Sequence, residues 1–180
     1  MTASSTEPIA VSAATTGSDA APVPVAVAEE HLRRLLRRRA ATVTVVTATD
    51  GGRPVGFTAT SFTSVSMHPP LVSFCVSRRS SFWLVLQATE HVAVHVLDAG
   101  QADLARTFAT RGIDRFAAVG WRPGPCGVPL LKRTLGWLVG RIAARVIAGD
   151  HAIVLAEPVT IGWVDGSPLL YHNGQYTGLR

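Results

Sequence analysis

Lysine is nearly absent from this 180-residue chain: of its 17 basic residues, only Lys132 is not arginine. That lone lysine offers no obvious setting for Schiff-base chemistry. Cysteine is equally scarce. Cys75 sits in the apolar run LVSFCV and reads as a small core hydrophobe. Cys126 sits in the loop PGPCG, with no histidine or second cysteine at ligand spacing. Two such cysteines build neither a disulfide framework nor a metal site, so a reducing, cytoplasmic setting and no bound metal are expected. No apolar run approaches the roughly 18 residues of a membrane span, so no membrane association is expected. No paired carboxylates stand out, and H-E-x-x-H, C-x-x-C, G-x-S-x-G and G-x-x-x-x-G-K-[ST] are all missing. Hydrolase, zinc-enzyme and P-loop readings therefore have no support.

What is present suits one domain. The chain is 47% hydrophobic and 16% charged, with a net charge of +5. Residues 1–28 contain Glu7 and Asp19 but no Lys or Arg, so that stretch carries −2 and the rest of the chain +7. The stretch is Ala-, Ser-, Thr- and Pro-rich, lacks the basic start and continuous apolar core of a secretory signal, and reads as a disordered extension. Residues 29–180 form the expected folded domain. Its basic balance fits an anionic partner. The Arg-rich segment EEHLRRLLRRR opens that question to nucleic acid. It reads better as a solvated helix, with glutamates at its start and arginines at its end, and no nucleic-acid partner is expected.

The patterning is mainly β. Leu32, Leu35 and Leu36 mark one stripe on a helix over Glu29–Arg39. ATVTVVTAT ends at Asp50-Gly51-Gly52, a hairpin turn. Pro54–Ser66 continues as a strand until Met67-His68-Pro69-Pro70 breaks it. Leu71–Val76, His91–Leu97 and Leu135–Ile147 are further strands, and Phe82–Gln87 and Gln101–Thr110 are short helices. His151–Val164 reads as a last long strand pair, with Pro158 at a bulge or an edge. Short strands separated by Gly/Pro turns, with few helices, predict a closed β-barrel.

The chemistry-bearing residues cluster. Thr58, Thr60, Ser61, Thr63, Ser64 and Ser66 share one strand segment. On spacing alone two readings stand: a solvent-exposed Thr-rich strand, or a wall of hydroxyls for a flat, heteroatom-rich ligand. Ser77-Arg78-Arg79-Ser80-Ser81, just before a helix, is either an ordinary polar loop or a phosphate cradle.

The segment Gly56-Phe57-Thr58-Ala59-Thr60-Ser61-Phe62-Thr63-Ser64-Val65-Ser66, followed by Pro69-Pro70-Leu71-Val72, resembles the short flavin reductase family. These proteins are the reductase components of two-component flavin-dependent monooxygenases. Further blocks match in order: Ala105-Arg106-Thr107-Phe108-Ala109, Asp114-Arg115-Phe116, Gly120-Trp121-Arg122-Pro123, Gly127-Val128-Pro129-Leu130, Gly149-Asp150-His151 and Pro168 to Tyr176. The resemblance implies an FMN-binding split β-barrel of Greek-key type with a few short flanking helices, and a homodimer. It implies reduction of FMN or FAD by NADH or NADPH, with free reduced flavin passed to a partner monooxygenase.

Carried over by position, Pro54, Val55, Gly56, Phe57, Thr58, Thr60 and Ser61 are expected to line the isoalloxazine. Cys75, Val76, Ser77, Ser81 and Phe82, with Thr107 and Phe108, are expected to hold the ribityl and phosphate part. His151, as the catalytic residue, and Tyr171, His172, Asn173 and Gly174 are expected to face the nicotinamide. The chain departs from the family at His68, where relatives usually carry an acidic residue, and at Thr60, where many carry Asn. It also has Ala40 or Ala41 in place of a Gly. The alternative implied function is a flavin- or haem-binding barrel without reductase activity, or a direct flavin-dependent oxidase.

Overall fold

The computed structural model describes residues 29–179; the extension expected over 1–28 lies outside them. The first element is helix α1, Glu29–Arg37. Glu29 and Glu30 reach one turn forward to Arg33 and Arg34, at 2.5 and 3.2 Å. The helix buries none of its residues, and Leu32, Leu35 and Leu36 are exposed. The stripe exists, but none of the described residues covers it.

A two-residue strand β1 (Ala41–Thr42) leads into β2 (Thr44–Asp50) and β3 (Arg53–Ala59). Gly51 and Gly52 join β2 to β3, with φ of 54° and 84°. Positive φ at both turn positions is the type I′ geometry that matches strand twist, and glycine adopts it without a Cβ clash. Next come β4 (Thr63–Met67), β5 (Pro70–Ser77), helix α2 (Ser81–Ala88), β6 (His91–Val96) and helix α3 (Ala102–Ala109). The short strands β7 (Trp121–Pro123) and β8 (Pro129–Leu131) pair with each other. The long strands β9 (Gly136–Ala148) and β10 (His151–Trp163) turn at Gly149-Asp150, and β11 (Leu170–His172) and β12 (Gln175–Thr177) close the chain.

Seven strands form one antiparallel sheet in the order β3-β2-β6-β9-β10-β5-β4. Within it β6, β9, β10 and β5 have Greek-key order. The two edges, β3 and β4, are joined by only residues 60–62. Laid flat, seven strands would separate those edges by roughly 29 Å at about 4.8 Å per gap. The link from Ala59 to Thr63 spans at most roughly 14 Å. The sheet must therefore curl, yet β3 and β4 are not paired. The result is an open, split-barrel-like sheet, which corrects the closed barrel expected from periodicity.

Two strand expectations also change. Pro54–Ser66 is not one strand, because β3 ends at Ala59 and β4 starts at Thr63. His151–Val164 is a single strand through Trp163, with a register shift between Pro158 and Thr160 where a bulge was expected.

Alternation along β2 explains the core. Val46 and Ala48 face a cluster containing Phe74, Val76, Val154 and, from α2, Phe82 and Leu86. Val43 and Val45 face a second cluster with Leu97, Leu169 and, from α3, Phe108. With side chains directed alternately to opposite faces, β2 is buried on both.

Candidate active site

A cavity of about 610 Å³ opens between the β3–β4 link, the end of β5, and the segments that precede α2 and follow α3. The strand wall carries Phe57, Thr58, Thr60 and Ser61, with Cys75, Val76 and Ser77 opposite. Arg79, Ser80 and Ser81 form the entry to α2, and Phe108, Arg111, Gly112 and Arg115 form the far wall; His151 stands at the rim.

Local hydrogen bonds set this shape. The Ser61 hydroxyl accepts from the Cys75 N–H at 2.9 Å and donates to the Cys75 carbonyl at 3.4 Å, tying the link to β5 where no strand ladder reaches. Thr58 donates its hydroxyl to the Ala105 carbonyl at 2.7 Å, fastening β3 to α3. These two hydroxyls therefore hold the wall together, while Thr60, on the link between β3 and β4, lines the cavity without a hydrogen bond from its hydroxyl to any other described residue. At Gly56 a Cβ would lie 2.8 Å from both the Phe108 ring and the Val46 carbonyl, so α3 packs this close only over glycine. Ser80 caps α2 by accepting from the Phe82 N–H.

Arg115 holds the loop after α3. Its Nη1 donates to the Gly56 carbonyl at 2.6 Å and its Nε to the Thr110 carbonyl at 2.9 Å. Burial, and then the charge of Arg111, pushes its pKa below the ordinary arginine value. Three arginines and no carboxylate line this cavity, a balance that favours an anionic ligand. At the rim, His151 Nδ1 lies 2.7 Å from Asp150 Oδ1. That hydrogen bond, with the imidazole's charge, holds the Asp150 carboxyl below its ordinary pKa.

A second cavity of about 780 Å³ shares Ser81, Gly112 and Arg115 with the first. Pro54, Val55, Gly56 and Phe82 line this neighbour and not the hydroxyl-lined cavity. Thr107 lines neither; its hydroxyl donates to the Asp103 carbonyl within α3. The Tyr171–Gly174 segment is not at either cavity. It forms the β11–β12 hairpin, with Asn173 and Gly174 at φ of 49° and 83°, and the Asn173 N–H donates to the Arg37 carbonyl of α1. Of the expected residues the structure gathers Phe57, Thr58, Thr60, Ser61, Cys75, Val76, Ser77, Ser81, Phe108 and His151 around one space. Sequence reasoning missed Arg111 and Arg115. Arg115 lay within a matched block, but nothing in the sequence says that it folds back onto β3. Among the described residues no group of His, Cys, Asp or Glu could hold a metal ion.

Residues 36–180 match the model of the flavin reductase like domain. The chain is 41% identical over 150 residues to an NADH:FMN oxidoreductase of Rhodococcus qingshengii, covering 80% of this chain and 78% of the relative. It is 33% identical over 141 residues to HsaB, the reductase subunit of a flavin-dependent monooxygenase in Mycobacterium tuberculosis, covering 77% and 75%. Among solved structures, the Streptomyces globisporus NADH:FAD oxidoreductase SgcE6, in complex with NAD and FAD fragments, superposes with a TM-score of 0.80. It is 37% identical and covers 84% of this chain and 92% of that one.

Proposed function

The chain belongs to the flavin reductase like domain family, and from that premise we propose that it is an NADH:flavin oxidoreductase whose reduced flavin leaves for a partner flavin-dependent monooxygenase. The observation that carries this reading is the cavity in which strand hydroxyls, three arginines and His151 meet. The residues fit a flavin. Arg79, Arg111 and the capped start of α2 offer cations and backbone donors to a phosphate, while Phe57, Val76 and Thr60 offer a mixed wall to a flat ring system.

When bound, the flavin would supply the hydride acceptor for a reduced nicotinamide. The chain's part is positioning. The β3–β4 link and β5 would hold the ring edge, with Phe108 on the far wall. His151, oriented by Asp150, meets the nicotinamide at the rim. Hydride transfer itself asks no side chain to move a proton.

The active unit in this reading is a homodimer. Its support is apolar surface left in solvent on β10, where Ile161 and Trp163, two residues apart, share one face of the sheet beside the exposed Val159. The compartment in this reading is the cytoplasm; among the described residues no helix is long and apolar enough to cross a membrane.

The test is a steady-state assay crossing NADH and NADPH with FMN, FAD and riboflavin. Multiple turnovers with NADH are expected. Flavin binding without turnover in any pairing would replace this reading by a flavin-carrying barrel without reductase activity.

A further inference from the structure

We propose that the second cavity receives the nucleotide half of FAD, with Arg115 beneath the diphosphate, so that this chain prefers FAD to FMN. The inference rests on the flavin reading above and extends it to the choice of flavin.

Three observations lead there. First, the two cavities are contiguous, meeting at Ser81, Gly112 and Arg115. Thr58, Thr60 and His151 line only the first, so the reacting ring belongs there and the shared boundary falls where a phosphate would lie. Each cavity lies within the roughly 300–1,000 Å³ usual for small-ligand sites, and FMN seated in the first leaves the second without an occupant.

Second, the boundary is built for an anion. A guanidinium has five N–H groups. Arg115 spends one on the Gly56 carbonyl and one on the Thr110 carbonyl, which fixes its plane and leaves the others to donate. A fixed planar donor matches diphosphate oxygens better than a freely moving ammonium.

Third, the second cavity has the chemistry of an adenosine site. Trp121 and Ile113 offer an apolar wall to a purine, and Ile113 is 50% exposed. Asp50 and Asp114 also line the cavity, as acceptors for ribose hydroxyls and an exocyclic amine, and Arg53 adds a second cation. The carboxylates would repel a bare phosphate and tolerate a nucleoside.

NADH also carries an adenosine phosphate, and the experiment separates the two sources. Dissociation constants for FMN, FAD and riboflavin are measured by flavin fluorescence quenching for the full chain and for Ile113→Glu and Arg53→Glu. Both positions are exposed, so the fold tolerates the changes. The wild type is expected to bind FAD about tenfold or more tighter than FMN, and both variants to bring that ratio to within about twofold of unity, a loss of about fivefold or more (about 1 kcal/mol or more). Millimolar AMP is expected to weaken FAD binding and leave riboflavin binding unchanged. Equal wild-type affinities for FAD and FMN overturn the proposal, as does an FAD/FMN ratio the variants do not move. A rise in KM for NADH in Ile113→Glu, with riboflavin as acceptor and the FAD/FMN ratio unmoved, also overturns it and assigns the cavity to the dinucleotide. A chain that bound no flavin at all would instead remove the reading on which this inference rests.

Discussion

Two histidines mark two regions of the molecule that share a residue type and little else. His95 on β6 is fully buried between β2 and β8. Its Nδ1 donates to the Val45 carbonyl at 3.0 Å, and its Nε2 accepts from the Leu131 N–H at 3.1 Å. Both ring nitrogens are used, the tautomer is fixed, and burial drives the pKa down to about 4. His151 stands at the tip of the β9–β10 hairpin with about half its side chain in solvent and, among the described residues, one partner, Asp150. Its second nitrogen is free for a ligand. Imidazole serves as structure where the fold takes both nitrogens, and as a candidate for chemistry where it leaves one.

Removing the buried histidine should have the largest effect. His95→Ala leaves a buried carbonyl and a buried N–H without partners and a cavity beside them. A loss of about 3 kcal/mol or more is expected in urea unfolding. A loss below about 1 kcal/mol would mean that water repairs the site.

Acid comes next and acts on the same group. Above pH 6.5 the His95 imidazole is neutral in both folded and unfolded chains. Between pH 6.5 and about 4 the unfolded chain takes up the proton and the folded chain does not. Stability therefore falls as pH drops through that window, by about 3 kcal/mol at its lower end. Unfolding free energies from pH 8 to 4 should show this slope, and His95→Ala should flatten it.

The exposed histidine should behave in the opposite way. His151→Ala should cost under about 0.5 kcal/mol of stability. It should raise KM for NADH by about tenfold while the flavin dissociation constant stays within about twofold. Equal losses in nucleotide and flavin affinity would move His151 from the nicotinamide to the flavin. Asp150→Asn keeps the size of the side chain but removes the charge that orients the imidazole. A smaller rise in the same KM is expected, about two- to fivefold.

The smallest effect should come from the other hairpin that the resemblance sends to the nicotinamide. Within the chain the β11–β12 tip is held against α1 through the Asn173–Arg37 bond and lies at neither cavity. Tyr171→Ala with His172→Ala should leave KM for NADH within about twofold. A rise matching that of His151→Ala would mean that this tip reaches the nicotinamide of another copy.

The sequence could be read wherever the cause was local. Gly51-Gly52 and Gly149-Asp150 turn the chain because glycine accepts positive φ, and alternation in β2 and β6 marks strands whatever they pack against. The hydroxyl cluster and the matched blocks pointed to the cavity wall, and ten of the expected site residues surround one space. The nonlocal features were not legible. The break of the Thr-rich strand at residues 60–62 follows from the need to connect opposite edges of a curled sheet, which residue types do not announce. The engagement of Ser61 with Cys75 and of Thr58 with Ala105 depends on which backbone groups arrive beside them.

By itself the sequence determined a mainly β domain, its turns, a basic body suited to an anionic ligand, and the family. Only the tertiary structure decided that the barrel stays split between β3 and β4. It also made His95 structural and left His151 available, and it brought Arg79, Arg111 and Arg115 from separate segments to one cavity. The reason is physical: turn and strand preferences act over a few residues, whereas burial, hydrogen-bond satisfaction and the field of converging charges exist only once distant segments meet.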